Sequence, residues 1–147
     1  DVVRLLLSAP RNASRADCCG GEALALAVKG GHAAVVQLLL SAPRHPARAD
    51  YQDSGNLLLA AVEGDAAMVE VLLNAPQHAA CANCQDGMAL MLASMMGHAQ
   101  VVELLLSAHQ HAARADGQGS KALLGAAAEG HAEVARLLLN APEHAAQ

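Results

Sequence analysis

The feature that most constrains this chain is a period of 33 residues. Glycines at positions 31, 64, 97 and 130 each begin a nearly identical segment, of which 97–108 (GHAQVVELLLSA) is the clearest copy. A truncated copy, DVVRLLLSA, starts at Asp1. A fixed period of this length, without insertions, predicts a solenoid of stacked units and not a single globular core.

The period divides the chain into a partial unit, 1–16, and full units at 17–49, 50–82, 83–115 and 116–147. Each unit reads as a turn, a first helix (23–30 in the first full unit), a glycine link, a second helix (33–41) and an extended return. The glycine lies where a left-handed helix cap is preferred. Helices of about eight or nine residues are marginal alone in water, so neighbouring units must cover them. The predicted fold class is therefore an all-α solenoid of helix-turn-helix units with β-turn or hairpin connections.

Both ends of the sequence fall inside the repeating pattern. Residue 1 corresponds to residue 34, and Gln147 corresponds to Arg48. Terminal repeats normally carry a polar outer face, but Val2, Val3 and the leucines that follow would leave an apolar end uncovered. We therefore expect further repeats of the same chain, or a partner, to cover it.

Composition excludes several classes of partner. Net charge is −5 and aromatic residues make up 1% of the chain, which argues against binding nucleic acid by charge or by base stacking. No apolar run approaches 18 residues, so membrane insertion is not expected. The four cysteines are interpreted as reduced thiols, which favours an intracellular and cytoplasmic location.

The cysteines and histidines do not form a metal-binding pattern. Cys81 and Cys84 have CxxC spacing, but Cys18, the nearest equivalent thiol, lies two units away, roughly 20 Å at the usual helix packing distance. Most histidines recur at the unit spacing, and the close pair His109 and His111 has no carboxylate beside it. No nucleophile–base pair or phosphate-binding loop is present in the sequence. We therefore predict no metal, no cofactor and no enzymatic activity.

The segment Gly-His-x-x-Val-Val-x-Leu-Leu-Leu at 31–40 and 97–106, together with the period and the order of elements, resembles ankyrin repeats. The family's Thr-Pro-Leu-His becomes Glu22-Ala-Leu-Ala and Met88-Ala-Leu-Met in the first and third units, so only the leucine is kept. Loss of the threonine cap costs about 1 kcal/mol. Ser54 and Ser120, one residue earlier, are the candidates to replace that cap.

The resemblance implies a protein-interaction module that binds a partner protein of unknown identity on a concave surface. In the family this surface is formed by the turn tips and the exposed side of the first helix. At those positions the side chains differ from unit to unit, as a binding surface requires. Tyr51 and the methionines of the third unit are expected to supply most of the affinity. The predicted protein-binding residues are Tyr51, Gln52, Glu63, Cys84, Gln85, Met88, Met95, Met96, Gln118, Lys121 and Glu129.

Two other functions are compatible with the same sequence. The stack could be a structural subunit built permanently into a larger assembly, which uncovered apolar ends favour. It could also be the targeting arm of a longer enzyme whose catalytic domain lies elsewhere in the chain.

Overall fold

The computed structural model describes residues 2–8, 16–17, 21–43, 45–108 and 119–141. Within these residues the secondary structure is helical and includes no strand. No described helix is long and apolar enough to cross a bilayer. The helices are α1 (Val2–Ser8), α2 (Glu22–Lys29), α3 (Ala33–Leu40), α4 (Tyr51–Glu63), α5 (Ala66–Leu73), α6 (Cys84–Met95), α7 (Ala99–Ser107), α8 (Gly119–Ala128) and α9 (Ala132–Asn140).

The helices form two layers, which confirms the predicted solenoid. The first helices of the units, α2, α4, α6 and α8, pack side by side in one layer. The second helices, α3, α5, α7 and α9, form the other layer, and α1 packs against α3 at its edge. Leu24, Leu57 and Leu90, at one position of the repeat, are fully buried between the layers. Each unit therefore hides its apolar side against its neighbours, as the short helices require.

The glycine links have the predicted left-handed backbone. Gly31, Gly64, Gly97 and Gly130 have φ between 66° and 77°, a region that a residue with a Cβ enters only at a cost. The next residue in each unit, a histidine in three of them and Asp65 in the other, precedes the second helix. The link therefore reverses the chain within two residues.

Histidines at the start of the second helices join consecutive units. His98 Nε2 lies 3.0 Å from the carbonyl oxygen of Val62, and His131 Nε2 lies 3.0 Å from that of Met95. Each ring also lies on the glycine link of the preceding unit, because a Cβ built on Gly64 would come within 2.5 Å of the His98 ring. These rings fill the space that the missing glycine side chain leaves.

The junction between the first two full units lacks this arrangement. Asp65 occupies the histidine position, and its carboxylate instead accepts a hydrogen bond of 3.0 Å from the backbone N–H of Met68 in its own helix. No atom lies within 4 Å of a Cβ built on Gly31. The first junction therefore has a helix cap where the later two have a ring-to-carbonyl bond.

The starts of two first helices differ from the prediction. We expected helices from residues 56 and 89, but α4 begins at Tyr51 and α6 at Cys84. Gln85, Asp86 and Gly87 all have left-handed φ values. They form a left-handed turn that a kink separates from the rest of α6. Neither turn contains a proline, so backbone N–H groups stay available for local bonds, such as that from Gly87 to the Asn83 carbonyl.

The expectation that Ser54 caps the first helix was wrong. Its hydroxyl oxygen accepts a hydrogen bond of 2.9 Å from the backbone N–H of Cys81, at the end of the same unit's return segment. Ser54 is 2% exposed and has a left-handed φ of 64°. The residue therefore ties the turn to the return segment and leaves the helix start without a side-chain cap.

Candidate protein-binding surface

One side of the first-helix layer faces away from the second helices. In α2, Glu22 and Lys29 are exposed, whereas Leu24, Ala27 and Val28 are buried against neighbouring helices. Residues separated by three, four or seven positions lie on one side of a helix. This outward side, continued by α4, α6 and α8, is called the first-helix face below. In ankyrin repeats, which this chain resembles, the corresponding side forms the concave surface.

Large apolar side chains are exposed along this face. Val62 is 39% exposed, Met88 38% and Met96 49%. They belong to two successive units, and we refer to the three together as the apolar stripe. Single exposed apolar residues are common, whereas a group of them on one side of a layer is a candidate interaction site.

Charged side chains border the apolar stripe. Glu63 and Glu129 are exposed at the repeat position that Met96 occupies in the unit between them. Among the residues that the structure describes, neither carboxylate takes part in an ion pair. At the other end of the first helices, exposed Glu22 and Lys121 carry opposite charges. The edge of the face that carries Glu63, Met96 and Glu129 is therefore acidic. The opposite edge carries both negative and positive charges.

Met95 contacts the following unit, and this contact leaves its side chain half-buried instead of exposed. A Cβ built on Gly125 would come within 2.5 Å of Met95 Cγ, so the methionine side chain fills the place of a side chain that Gly125 lacks. The other full units carry leucine at the position of Gly125, as Leu26 shows. Met95 therefore helps to join the third and fourth units, while Met96 beside it faces outward.

The structure brings part of the predicted binding set together. Cys84, the first residue of α6, is half-buried, and Gln85 is exposed on the left-handed turn that follows it. The side chains of Tyr51 and Gln52, and the whole of Gln118, lie outside the described residues. The predicted residues that are exposed on the first-helix face are Glu63, Met88, Met96, Lys121 and Glu129.

Leu26, which is not part of the apolar stripe, is 62% exposed for a different reason. Gly125, at the same repeat position, faces Met95 in the first helix of the preceding unit. The described residues include no first helix before α2, so the side of α2 that carries Leu26 is uncovered. Leu59 and Leu92, which do have a preceding first helix, are half-buried.

The segment entering α4 is fixed by a two-point ion pair. Arg48 donates from Nε (3.0 Å) and Nη2 (2.8 Å) to the two carboxylate oxygens of Asp50. This hydrogen bonding lowers the pKa of Asp50 below its usual value, although partial burial opposes the shift. Because the carboxylate is occupied by the guanidinium, it does not cap α4 even though Asp50 stands at the cap position. The turn that carries Tyr51 is thereby oriented from its N-terminal side.

Outside the first-helix face, the described residues offer weaker candidates. Cys81 and Cys84 are half-buried and form no disulfide, and no group of three or more potential metal ligands occurs in the described part of the chain. On the opposite layer, a groove of about 530 Å³ lies between α5 and α7, with Glu70 and Glu103 among its lining residues. The groove is shallow and has no large apolar lining besides Leu104.

Comparison with known families gives one match. A family model that describes ankyrin repeats, in three copies, matches residues 1–81 and residues 57–147. The two matches overlap and together cover the whole sequence. No curated protein matched the chain.

Proposed function

Because the chain belongs to the ankyrin-repeat family, we propose that it is a non-catalytic module that binds a partner protein on its first-helix face. Ankyrin repeats are in general protein–protein interaction modules, and the family is typically non-catalytic. The single observation that carries the choice of face is the apolar stripe. Its three side chains are exposed on two successive units.

The shape of the face suits an elongated contact. First helices packed at about 8–10 Å give a surface roughly 30 Å long across four units. Val62 and Met96 lie on the second and third of these units, so one partner segment can contact both. Apolar anchors surrounded by polar residues are the arrangement in which a few side chains supply most of the affinity.

The experiment uses the intact chain to capture proteins, followed by affinity measurement with the purified partner. Met96→Lys and Met88→Lys are expected to weaken binding by about tenfold or more each, because each places a charge in an apolar contact. Both residues are exposed, so circular dichroism should show the fold unchanged. Gln100→Lys, an exposed change on the opposite layer, is the matched control and is expected to leave affinity unchanged. A partner whose affinity responds to Gln100→Lys and not to Met96→Lys would place the site elsewhere.

A permanent place in a larger assembly is the second candidate. It is supported by exposed apolar side chains away from the first-helix face, namely Val2 (71%) and Leu5 (70%) in α1. A subunit that depends on its assembly should aggregate or unfold when isolated. Analytical ultracentrifugation of the isolated chain separates the two, since a soluble and folded monomer supports the interaction module.

A further inference from the structure

We infer that the partner segment is a basic amphipathic helix. Its apolar side lies along the apolar stripe, and its lysine or arginine side chains pair with Glu63 and Glu129. This inference rests on the function proposed above, and it adds the chemical class of the partner.

The apolar part of the contact is centred on Met96. Met95 packs beside Gly125 of the next unit, so Met96 is the methionine of this pair that faces outward. Methionine is unbranched and polarizable, so it adapts to the irregular surface that a helix presents. Val62 in the preceding unit extends the contact in one direction. A helix that presents apolar residues every three or four positions matches such a row.

The charged part of the contact comes from the unpaired carboxylates. Glu63 and Glu129 occupy the same repeat position in the units on either side of Met96, and both are exposed. They are two units apart, which corresponds to about 20 Å at the usual packing distance. A partner helix that rises 1.5 Å per residue spans that distance in about four turns, or roughly 14 residues, and residues separated by that number lie on the same side of the helix. A matching partner helix therefore carries two basic residues about 14 positions apart, with apolar residues between them on that side.

Charge at the borders of the face limits the acidic edge to the later units. Lys29 is exposed in the first full unit, next to the position that carries glutamate in the second and fourth units. A basic side chain of the partner is therefore favoured beside Glu63 and Glu129 and disfavoured beside Lys29. Complementary charge of this kind raises the association rate and rejects wrong partners more than it adds affinity.

The test selects peptides from a displayed library of 20-residue helical sequences, with the 147-residue chain as bait. Enriched peptides are expected to carry two lysine or arginine residues about 14 positions apart, with apolar residues between them on the same side of the helix. Fluorescence anisotropy then measures the best peptide against the double variant Glu63→Lys/Glu129→Lys. We expect about tenfold weaker binding and a smaller dependence on salt concentration. The double variant Glu70→Lys/Glu103→Lys, with the same charge change on the opposite layer, is expected to stay within about twofold of the original.

The outcomes separate this inference from the proposed function. Peptides that lose binding with Met96→Lys but carry neutral or acidic flanks would overturn the charge assignment and support the face. Peptides insensitive to Met96→Lys would count against both. If no peptide is enriched, or if both double variants weaken binding equally, the basic helix is excluded. The capture experiment then still decides whether a folded protein binds the face.

Discussion

At the scale of single residues, Ser54 shows how a contact within one unit changes a local preference. A left-handed serine is costly, and such conformations persist when surrounding contacts hold them in place. Here the hydroxyl oxygen accepts the N–H of Cys81, 27 residues away. A sequence pattern of helix caps cannot reveal this bond, because the acceptor and donor become neighbours only after the return segment folds back. The serine was therefore predicted to act locally.

We expect Ser54→Ala to lower the free energy of unfolding by about 1–2 kcal/mol, since it leaves the Cys81 N–H without its acceptor. Urea titration followed by circular dichroism measures the change. Ser41→Ala is the control, because the Ser41 hydroxyl bonds to the Gln37 carbonyl one turn earlier on an exposed surface. That change should cost less than about 0.5 kcal/mol. Equal losses in the two variants would show that the bond to Cys81 contributes nothing measurable.

At the scale of helices, local and non-local signals differ in how well they predict boundaries. The second helix expected at 33–41 is found at Ala33–Leu40, because the glycine link and the residue after it fix its start. In the third unit α6 includes Gln85, Asp86 and Gly87 in left-handed conformation, so its right-handed part begins at Met88, one residue before the expected start. The pattern of apolar positions predicted this helix but not the left-handed turn in front of it.

The same distinction applies to the candidate site. Exposure of Met88, Met96 and Glu63 follows from their register on the first helix, which the period defines. Met95 has a comparable register, but its contact with Gly125 in another unit reduces its exposure. Contacts between units were therefore the part of the site that could not be predicted from the sequence.

The glycine links allow a matched test of the histidine contacts. Gly31→Ala and Gly97→Ala both force a Cβ into left-handed backbone, which costs about 1 kcal/mol. Only at Gly97 would the new Cβ meet a ring, that of His131, at 2.6 Å. We expect Gly97→Ala to cost about 1 kcal/mol more than Gly31→Ala in urea unfolding, because the ring must leave the Met95 carbonyl.

A double-mutant cycle checks the cause of that difference. If displacement of the ring is responsible, adding His131→Ala to Gly97→Ala should cost less than His131→Ala does alone. Strictly additive losses would contradict the ring explanation and leave only the backbone cost.

At the scale of the whole molecule, the burial of a residue depends on which units lie beside it. Leu40 and Leu139 occupy the same position of the repeat, yet Leu40 is 2% exposed and Leu139 is 70% exposed. A following unit covers the first of them in this structure. Stability in such an array is close to a sum of unit and junction contributions. The same side chain therefore contributes more to stability in a unit with a neighbour on each side than in a terminal unit.

We therefore expect Leu40→Ala to destabilise the 147-residue chain by about 2–5 kcal/mol, as for other buried leucines. Leu139→Ala should change stability by less than about 0.5 kcal/mol. Thermal and urea unfolding of both variants measure the difference. Similar losses at the two positions would mean that Leu139 is covered in solution, by association of chains or by residues beyond α9.

Asp65 has a mechanical consequence for the molecule. The two later junctions each have a bond from a histidine ring to a carbonyl of the preceding unit, and the junction between the first two full units, where Asp65 takes the place of the histidine, has none. We therefore expect the first full unit to separate from the array more easily than the others. A partner that spans this junction would meet the least constrained part of the molecule.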